Sequence, residues 1–285
     1  GLAAAIRIEQ LAAETGQDVS VVVLEKGSEV GAHILSGAVM DPKAMDELIP
    51  DWKEKGCPFE TPVKNDTFLV LGPEGSIPLP VFLMPPMLHN HGMYLGSPGP
   101  VARWVGQQAE APAVEIYPGF AAAEPLYDGA GAVCGVRIGD MGVAKDGSRK
   151  PAYTQGIDIK APLTVLAEGA RGHLTKQLIA RYELDRDSDP QCWSIGIKEL
   201  WEIPPAKAKA GLVVHTAGWP LADDTFGGGF LYHLEGNKVT LGYVIGLDYQ
   251  NPWMSPFEEM QRWKTHPSIK AHIEGGKRLG YGARA

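Results

Sequence analysis

The first 27 residues set the tightest limit on what this chain can fold into. Gly1-Leu2-Ala3-Ala4-Ala5-Ile6-Arg7-Ile8 reads as a helix opening on a glycine, and Val19-Ser20-Val21-Val22-Val23-Leu24-Glu25-Lys26-Gly27 as a buried strand ending on an acid. A helix N-terminus offers unpaired N–H groups and the positive end of its dipole, which suits a pyrophosphate. A glycine there lets helix and strand pack closely, and an acid about 20 residues further on suits ribose hydroxyls. The pattern is the second half of a dinucleotide-binding βαβ unit. The first strand and the two earlier glycines of G-x-G-x-x-G are expected ahead of Gly1. Taken alone, an Ala-rich helix before a Val-rich strand also fits any α/β fold.

Composition narrows the class. At 285 residues the chain is long enough for one large domain or two of medium size. The net charge of −8 and the lack of a basic block argue against a nucleic-acid partner. Cys57, Cys134 and Cys192 are far apart, with no C-x-x-C spacing and no even framework. They point to a reducing compartment and supply neither a zinc nor an iron–sulfur ligand set. No run of about 20 apolar residues is present to span a bilayer.

Further along, Asp41-Pro42 reads as an N-cap with proline at the first helical position. Asp66–Leu71 reads as a strand and Gly72-Pro73-Glu74-Gly75 as a hairpin turn. Ile77-Pro78-Leu79-Pro80-Val81-Phe82-Leu83-Met84-Pro85-Pro86-Met87-Leu88 is apolar, uncharged and holds four prolines. It cannot form a regular helix or a central strand, so it belongs in a core, a ligand channel or a bilayer surface. Arg103–Glu110 has helical spacing, and residues 120–160 resemble a β-meander. Leu163-Thr164-Val165-Leu166-Ala167-Glu168-Gly169-Ala170-Arg171-Gly172 reads as a buried strand running into a glycine turn, with a helix from His173 to Arg181 after it. Residues 191–249 alternate like an antiparallel sheet, and Phe257–His266 reads as a helix with Pro267 just beyond it.

Several longer stretches go beyond fold class. These are Gly31–Ala38, Asp51–Gly56, Thr164–Gly172, Gly218-Trp219-Pro220, Gly227-Gly228-Gly229-Phe230-Leu231-Tyr232-His233, Gly246-Leu247-Asp248-Tyr249-Gln250-Asn251-Pro252, Gly275–Arg278 and Tyr281–Arg284. Through them the chain resembles the electron-transfer flavoprotein–ubiquinone oxidoreductase family over essentially its whole length. One stretch departs from that pattern: Met93–Pro100 carries Pro98 and Pro100, and Pro112 follows, which leaves the local helix start open.

The resemblance implies a mixed α/β fold: an FAD-binding, Rossmann-like domain of the glutathione-reductase type with an inserted antiparallel-sheet domain for ubiquinone. The expected division is residues 1–71 with 101–183 for FAD, 72–100 as an apolar membrane-contact segment, and 184–285 for the quinone. A C-terminal 4Fe-4S domain is expected in the full-length protein, with no metal ligands in this chain. FAD would be held by Gly1, Glu25, Lys26, His33, Ser36, Gly37, Glu168, Gly169, Arg171 and Gly172. Gly227 and Gly228 would present backbone groups to the quinone, with Phe226, Phe230 and Tyr232 lining its pocket. Ile77–Leu88 would rest on the membrane, and reduced electron-transfer flavoprotein would be the donor. The location implied is the mitochondrial inner membrane or the bacterial cytoplasmic membrane. No catalytic acid or base is required, because the cofactor carries the chemistry. Two other readings stay open: an FAD-dependent isoprenoid-chain reductase, and a non-catalytic piece that binds lipid or quinone without FAD.

Overall fold

In a computed structural model, residues 1–34, 37–59, 61–110 and 113–285 are described; Ser36 and Pro112 lie outside them. The described residues pack as two compact units, 1–33 with 102–190 and 34–101 with 191–285. These divisions fall elsewhere than the expected 71/72, 100/101 and 183/184.

In the first unit, Gly1 precedes the helix Leu2–Thr15, which buries Ala5, Ile6 and Ala12 and stops at Gly16. The following strand, Val21–Glu25, runs parallel to Val114–Pro118 with Val23 opposite Ile116. The helix and strand expected as the second half of a βαβ unit are present, and the strand pairs in parallel with a segment from much later in the chain. The helix containing Arg103–Glu110 starts earlier than its spacing suggests, at Pro98, and runs to Ala109. Both prolines sit in its first turn, where a missing N–H costs nothing. The meander is Ala122–Tyr127, Val133–Ile138 and Asp158–Lys160, and Met141–Val143 pairs with Arg149–Thr154 as a separate hairpin.

The apolar run Leu163–Leu166 is not the buried strand its composition suggests. It pairs with no strand among the described residues, and Leu163 and Val165 are 74% and 57% exposed. A strand needs a hydrogen-bonding neighbour as well as apolar side chains. The parallel pair Val21–Glu25 and Val114–Pro118 stays two-stranded, and this segment does not join it. The helix after it is His173–Tyr182.

The second unit is built on a seven-stranded sheet. Edge to edge, its strands are Lys277–Arg284, Ser194–Glu202, Lys238–Gly246, Gly227–Leu234, Leu212–Gly218, Asn65–Leu71 and Ser76–Leu79. Neighbours are antiparallel except Leu212–Gly218 and Asn65–Leu71, which run parallel with Val214 opposite Thr67. Gly72–Gly75 makes the expected hairpin turn, and the proline-bearing Ser76–Leu79 lies at the sheet edge, where a missing donor is tolerated.

Two helices pack on one face of this sheet. Pro256–Thr265 starts behind Ser255, whose hydroxyl accepts from the Glu258 N–H at 3.4 Å. Pro267 does more than end that helix: it opens a second one, Pro267–Ile273, capped by the His266 ring. Leu231, Leu241, Tyr243, Ile245, Met260, Trp263 and Ile269 form the dry core between sheet and helices. A smaller cluster, Leu95, Val213 and Tyr232 with Val39 and Phe230 against it, lies on the other face. Leu95 and Val39 come from a three-stranded sheet made of Ala38–Met40, Tyr94–Gly96 and Thr61–Pro62.

Candidate functional site

Strand alternation sends Phe230 and Tyr232 to the face of the sheet away from the helices. There the second unit contains a cavity of about 280 Å³, lined by Phe230 and Tyr232, by Gly37 and Val39, by Met87 and Leu88, and by Lys198, His215 and Asn90. The walls are chemically divided. Phe230 and Tyr232 stack at 4.8 Å between ring centres and, with Val39, Met87 and Leu88, supply apolar surface. His215 Nε2 and the Tyr232 hydroxyl are 2.8 Å apart. Asn90 donates through its backbone and side-chain N–H groups to the Asp66 carboxylate at 3.0 and 2.9 Å. Burial lowers the pKa of His215, against the pull of Asp66, and raises that of Tyr232. Both side chains are therefore neutral at pH 7 and act as hydrogen-bonding groups.

Gly37 has φ +102°, and a Cβ there would fall inside the Thr240 side chain, so both the backbone and the packing require glycine. Its carbonyl accepts from Lys198 Nζ at 3.1 Å.

Outside the cavity the segment between the Ser76–Leu79 strand and Leu88 forms two short 3-10 turns, Val81–Leu83 and Pro86–Leu88. Phe82 and Met87 are 78% and 83% exposed, and Ile77 and Leu83 are also open to solvent. The apolar run is thus a surface, and core packing is excluded for these four side chains. Met87 belongs both to this surface and to the cavity wall.

The quinone set divides. Phe230 and Tyr232 line the cavity; Gly227, Gly228 and Phe226 do not. Gly227 pairs with Ile245 and Gly228 with Val244 at the far end of the same strand, and Phe226 is 72% exposed beside them. Gly228 shares the cavity face of the strand with Phe230 and Tyr232, whereas Gly229 faces the Trp263 indole.

The expected FAD residues of the first unit fall at two places. Gly1 comes up against Ala167: a Cβ on the glycine would be 3.4 Å from the Ala167 Cβ. The Leu2–Thr15 helix start, which has no side-chain cap, therefore meets the 164–172 segment. Within that segment Thr164 Oγ1 is buried with no hydrogen-bond partner among the described residues. An uncapped helix start and, in the segment it meets, an orphaned buried hydroxyl fit a cofactor carrying phosphate and hydroxyl groups. Glu25 turns its carboxylate onto the Gly27 N–H at 2.6 Å; Lys26 and His33 are exposed.

Glu168 does something its motif does not reveal. Its carboxylate accepts from the N–H groups of Leu174 and Thr175 at 3.1 and 2.8 Å and from the Thr175 hydroxyl at 2.8 Å, so it caps the His173–Tyr182 helix. Burial alone would raise its pKa, but these hydrogen bonds win and hold it below the usual value. Gly169 and Arg171 are exposed, and Gly172 is pressed against Glu168 and Thr175.

Lys198, His215 and Asn90 were not singled out from sequence. Lys198 carried one usable signal, a charged residue set within an apolar alternating strand; nothing marked His215 or Asn90.

Among the described residues no helix is long and apolar enough to cross a membrane, and no group of three or more His, Cys, Asp or Glu could hold a metal ion.

Solved structures with the same fold define the class. The chain matches a geranylgeranyl bacteriochlorophyll reductase-like protein from Thermoplasma acidophilum with TM-score 0.66 at 14% identity, over 100% of this chain and 63% of that one. It matches a flavoprotein/dehydrogenase from Cytophaga hutchinsonii with TM-score 0.61 at 13% identity, over 100% and 64%. The chain shares its fold with both of these proteins; at such identities the likeness speaks for fold alone.

Sequence carries the identification further. Residues 193–285 match the family described as ETF-QO, ubiquinone-binding. All of the chain aligns with electron transfer flavoprotein-ubiquinone oxidoreductase of Pseudomonas aeruginosa at 56% identity, covering 52% of that protein. It aligns equally fully with the mitochondrial protein of that name from Mus musculus at 53%, covering 46%. By sequence the chain is similar over its whole length to proteins of this name, and it spans about half the length of the curated relatives it matches.

Proposed function

We propose that this chain forms the flavin- and quinone-binding part of an oxidoreductase that takes electrons from reduced electron-transfer flavoprotein and delivers them through FAD to ubiquinone at a membrane surface. The observation that carries the reading is the match over the whole chain at 52–56% identity. Identity at that level leaves little room for the isoprenoid-chain reductase reading, whose support is a 14% likeness of fold.

In this reading the Gly1 helix start receives the FAD pyrophosphate, and Glu25 with Lys26 receives the adenosine ribose. Residues 168–172, with Glu168 fixing the turn, bring backbone close to the cofactor, and His33 approaches the flavin. Bound FAD supplies the step between two-electron and one-electron carriers. Phe230 and Tyr232 hold the quinone ring, whereas Gly227 and Gly228 lie farther along the same strand, outside the cavity lining. The exposed surface of Ile77, Phe82, Leu83 and Met87 rests in the lipid interface and lets an isoprenoid-tailed substrate reach the cavity from the bilayer. The 4Fe-4S cluster belongs to the part of the relatives that this chain does not span. The location in this reading is the mitochondrial inner membrane or the bacterial cytoplasmic membrane, and the mitochondrial names of relatives such as that from Mus musculus support a mitochondrial location.

The test is released-flavin analysis of the polypeptide at its relatives' full length, together with reduction of a short-tailed ubiquinone by reduced electron-transfer flavoprotein. FAD and quinone reduction together are expected. A protein without flavin, or one that holds FAD and leaves the quinone oxidised, overturns the reading.

A further inference from the structure

The cavity of the second unit contains a charge without a counter-ion. Lys198 is the one cationic side chain among its lining residues. It is half-buried and forms no ion pair among the described residues. Lys264, also half-buried, behaves differently: it meets the Glu199 carboxylate at 2.9 Å. Lys198 Nζ has three donors; one goes to the Gly37 carbonyl at 3.1 Å, and the ammonium lies 5.4 Å from the centre of the Phe230 ring. Burial lowers its pKa, the mark of a cation whose lost hydration is not made up by a partner. Half-buried charges are ordinarily paired, so an unpaired one facing a cavity calls for an electron-rich occupant.

We infer that Lys198 contacts an oxygen of the ring bound in this cavity and makes the cavity prefer a ring carrying negative charge over the neutral one. The inference rests on the quinone reading of the cavity and adds a residue and a selectivity to it. The neutral walls shape the rest of the preference. Phe230 adds an aromatic wall, Tyr232 and His215 are neutral, and the Asp66 carboxylate, whose charge reaches both, accepts from Asn90. The only full charge that can answer an anionic oxygen from the lining is therefore Lys198. A quinone that has taken one electron and no proton carries negative charge on its oxygens, so the same ammonium favours that anion over the oxidised ring, whereas the quinol formed with a second electron and two protons is again neutral.

The test is calorimetric titration of the chain at neutral pH with two naphthoquinones of nearly equal size, 2-methyl-1,4-naphthoquinone, which is neutral, and 2-hydroxy-1,4-naphthoquinone, which is anionic. The wild-type chain is expected to bind the anion tighter by about tenfold or more, as expected for a partly desolvated charge pair. Lys198→Met should erase the preference and leave the neutral ring's affinity little changed, while Lys198→Arg should keep it. The wild-type ratio stands whether or not Lys198→Met folds. Equal binding of the two rings by wild type, or a preference that survives in Lys198→Met, overturns the inference and leaves the quinone reading intact. Binding of neither ring overturns both.

Discussion

Gly229→Ala separates what the glycine run Gly227-Gly228-Gly229 does for the sheet from what it does for a ligand. Gly229 lies on the helix side of its strand, and a Cβ there would sit 2.7 Å from Trp263 Nε1 and closer still to two carbons of the indole. The indole is fully buried and is tied in place. Its N–H donates to Thr216 Oγ1 at 2.9 Å, and that oxygen also accepts from the Gly229 N–H at 3.1 Å and donates to the Gly229 carbonyl at 3.3 Å. The ring cannot yield without breaking this node. Overpacking of a filled core costs about 1–3 kcal/mol, and loss of one buried hydrogen bond adds about 1 kcal/mol. The expected loss is therefore about 2–4 kcal/mol. Urea unfolding followed by tryptophan fluorescence reads it as a fall in midpoint at unchanged slope. A loss under about 0.5 kcal/mol, the range of an ordinary surface change, would refute the claim that Gly229 is there for Trp263.

Three further outcomes follow from the structure. Lys264→Met strips the main partner from Glu199, whose side chain is 1% exposed and keeps only Arg278 and Trp201; a loss of about 3–5 kcal/mol in urea unfolding is expected, and Glu199→Leu added to it should recover much of that loss. The buried imidazoles of His233 and His272 lie 2.9 Å apart, and burial with the neighbouring charges lowers His233 to about 4. The unfolded chain therefore binds the proton first, so stability is complete above about pH 6.5, falls as pH drops toward 4, and falls less in His233→Gln by thermal unfolding at a series of pH values. Phe82→Asp with Met87→Asp should cut binding to lipid vesicles by roughly tenfold or more, since each apolar side chain withdrawn from water is worth about 1.5–3 kcal/mol, while leaving urea stability unchanged because both are exposed.

Much of the fold was legible because its signals are local. The Gly1 helix, the Val21–Glu25 strand, the Gly72–Gly75 turn and the antiparallel strands from Ser194 onward follow from periodicity and turn chemistry. The misreadings have physical causes. Leu163–Leu166 has the composition of a strand, but a strand exists only where it pairs, and no local signal records whether this segment joins a sheet. Pro98 and Pro267 read as interruptions, yet both sit in first turns, where proline is at home.

The candidate site was legible in part for the same reason. Phe230 and Tyr232 alternate onto one face of a readable strand. Glu168 was marked by its glycine-rich turn, but its role as a cap depends on where the next helix begins. Lys198, His215 and Asn90 come from three segments far apart in sequence, and only the folded sheet places them around one cavity. The Gly227–Gly228 pair remains the widest gap between sequence and geometry. It was chosen as the quinone contact, and the structure places it beyond the lining of the cavity its neighbours form.

The quinone site is therefore tested most directly by photolabelling. An azido-substituted, short-tailed ubiquinone would be bound, illuminated and mapped by mass spectrometry of the peptides. The expected label falls on the Gly227–Leu234 strand and on the Val81–Asn90 segment, and excess unlabelled ubiquinone removes it. Label that avoids both segments, or that persists against that competitor, would contradict a quinone site on this face of the sheet.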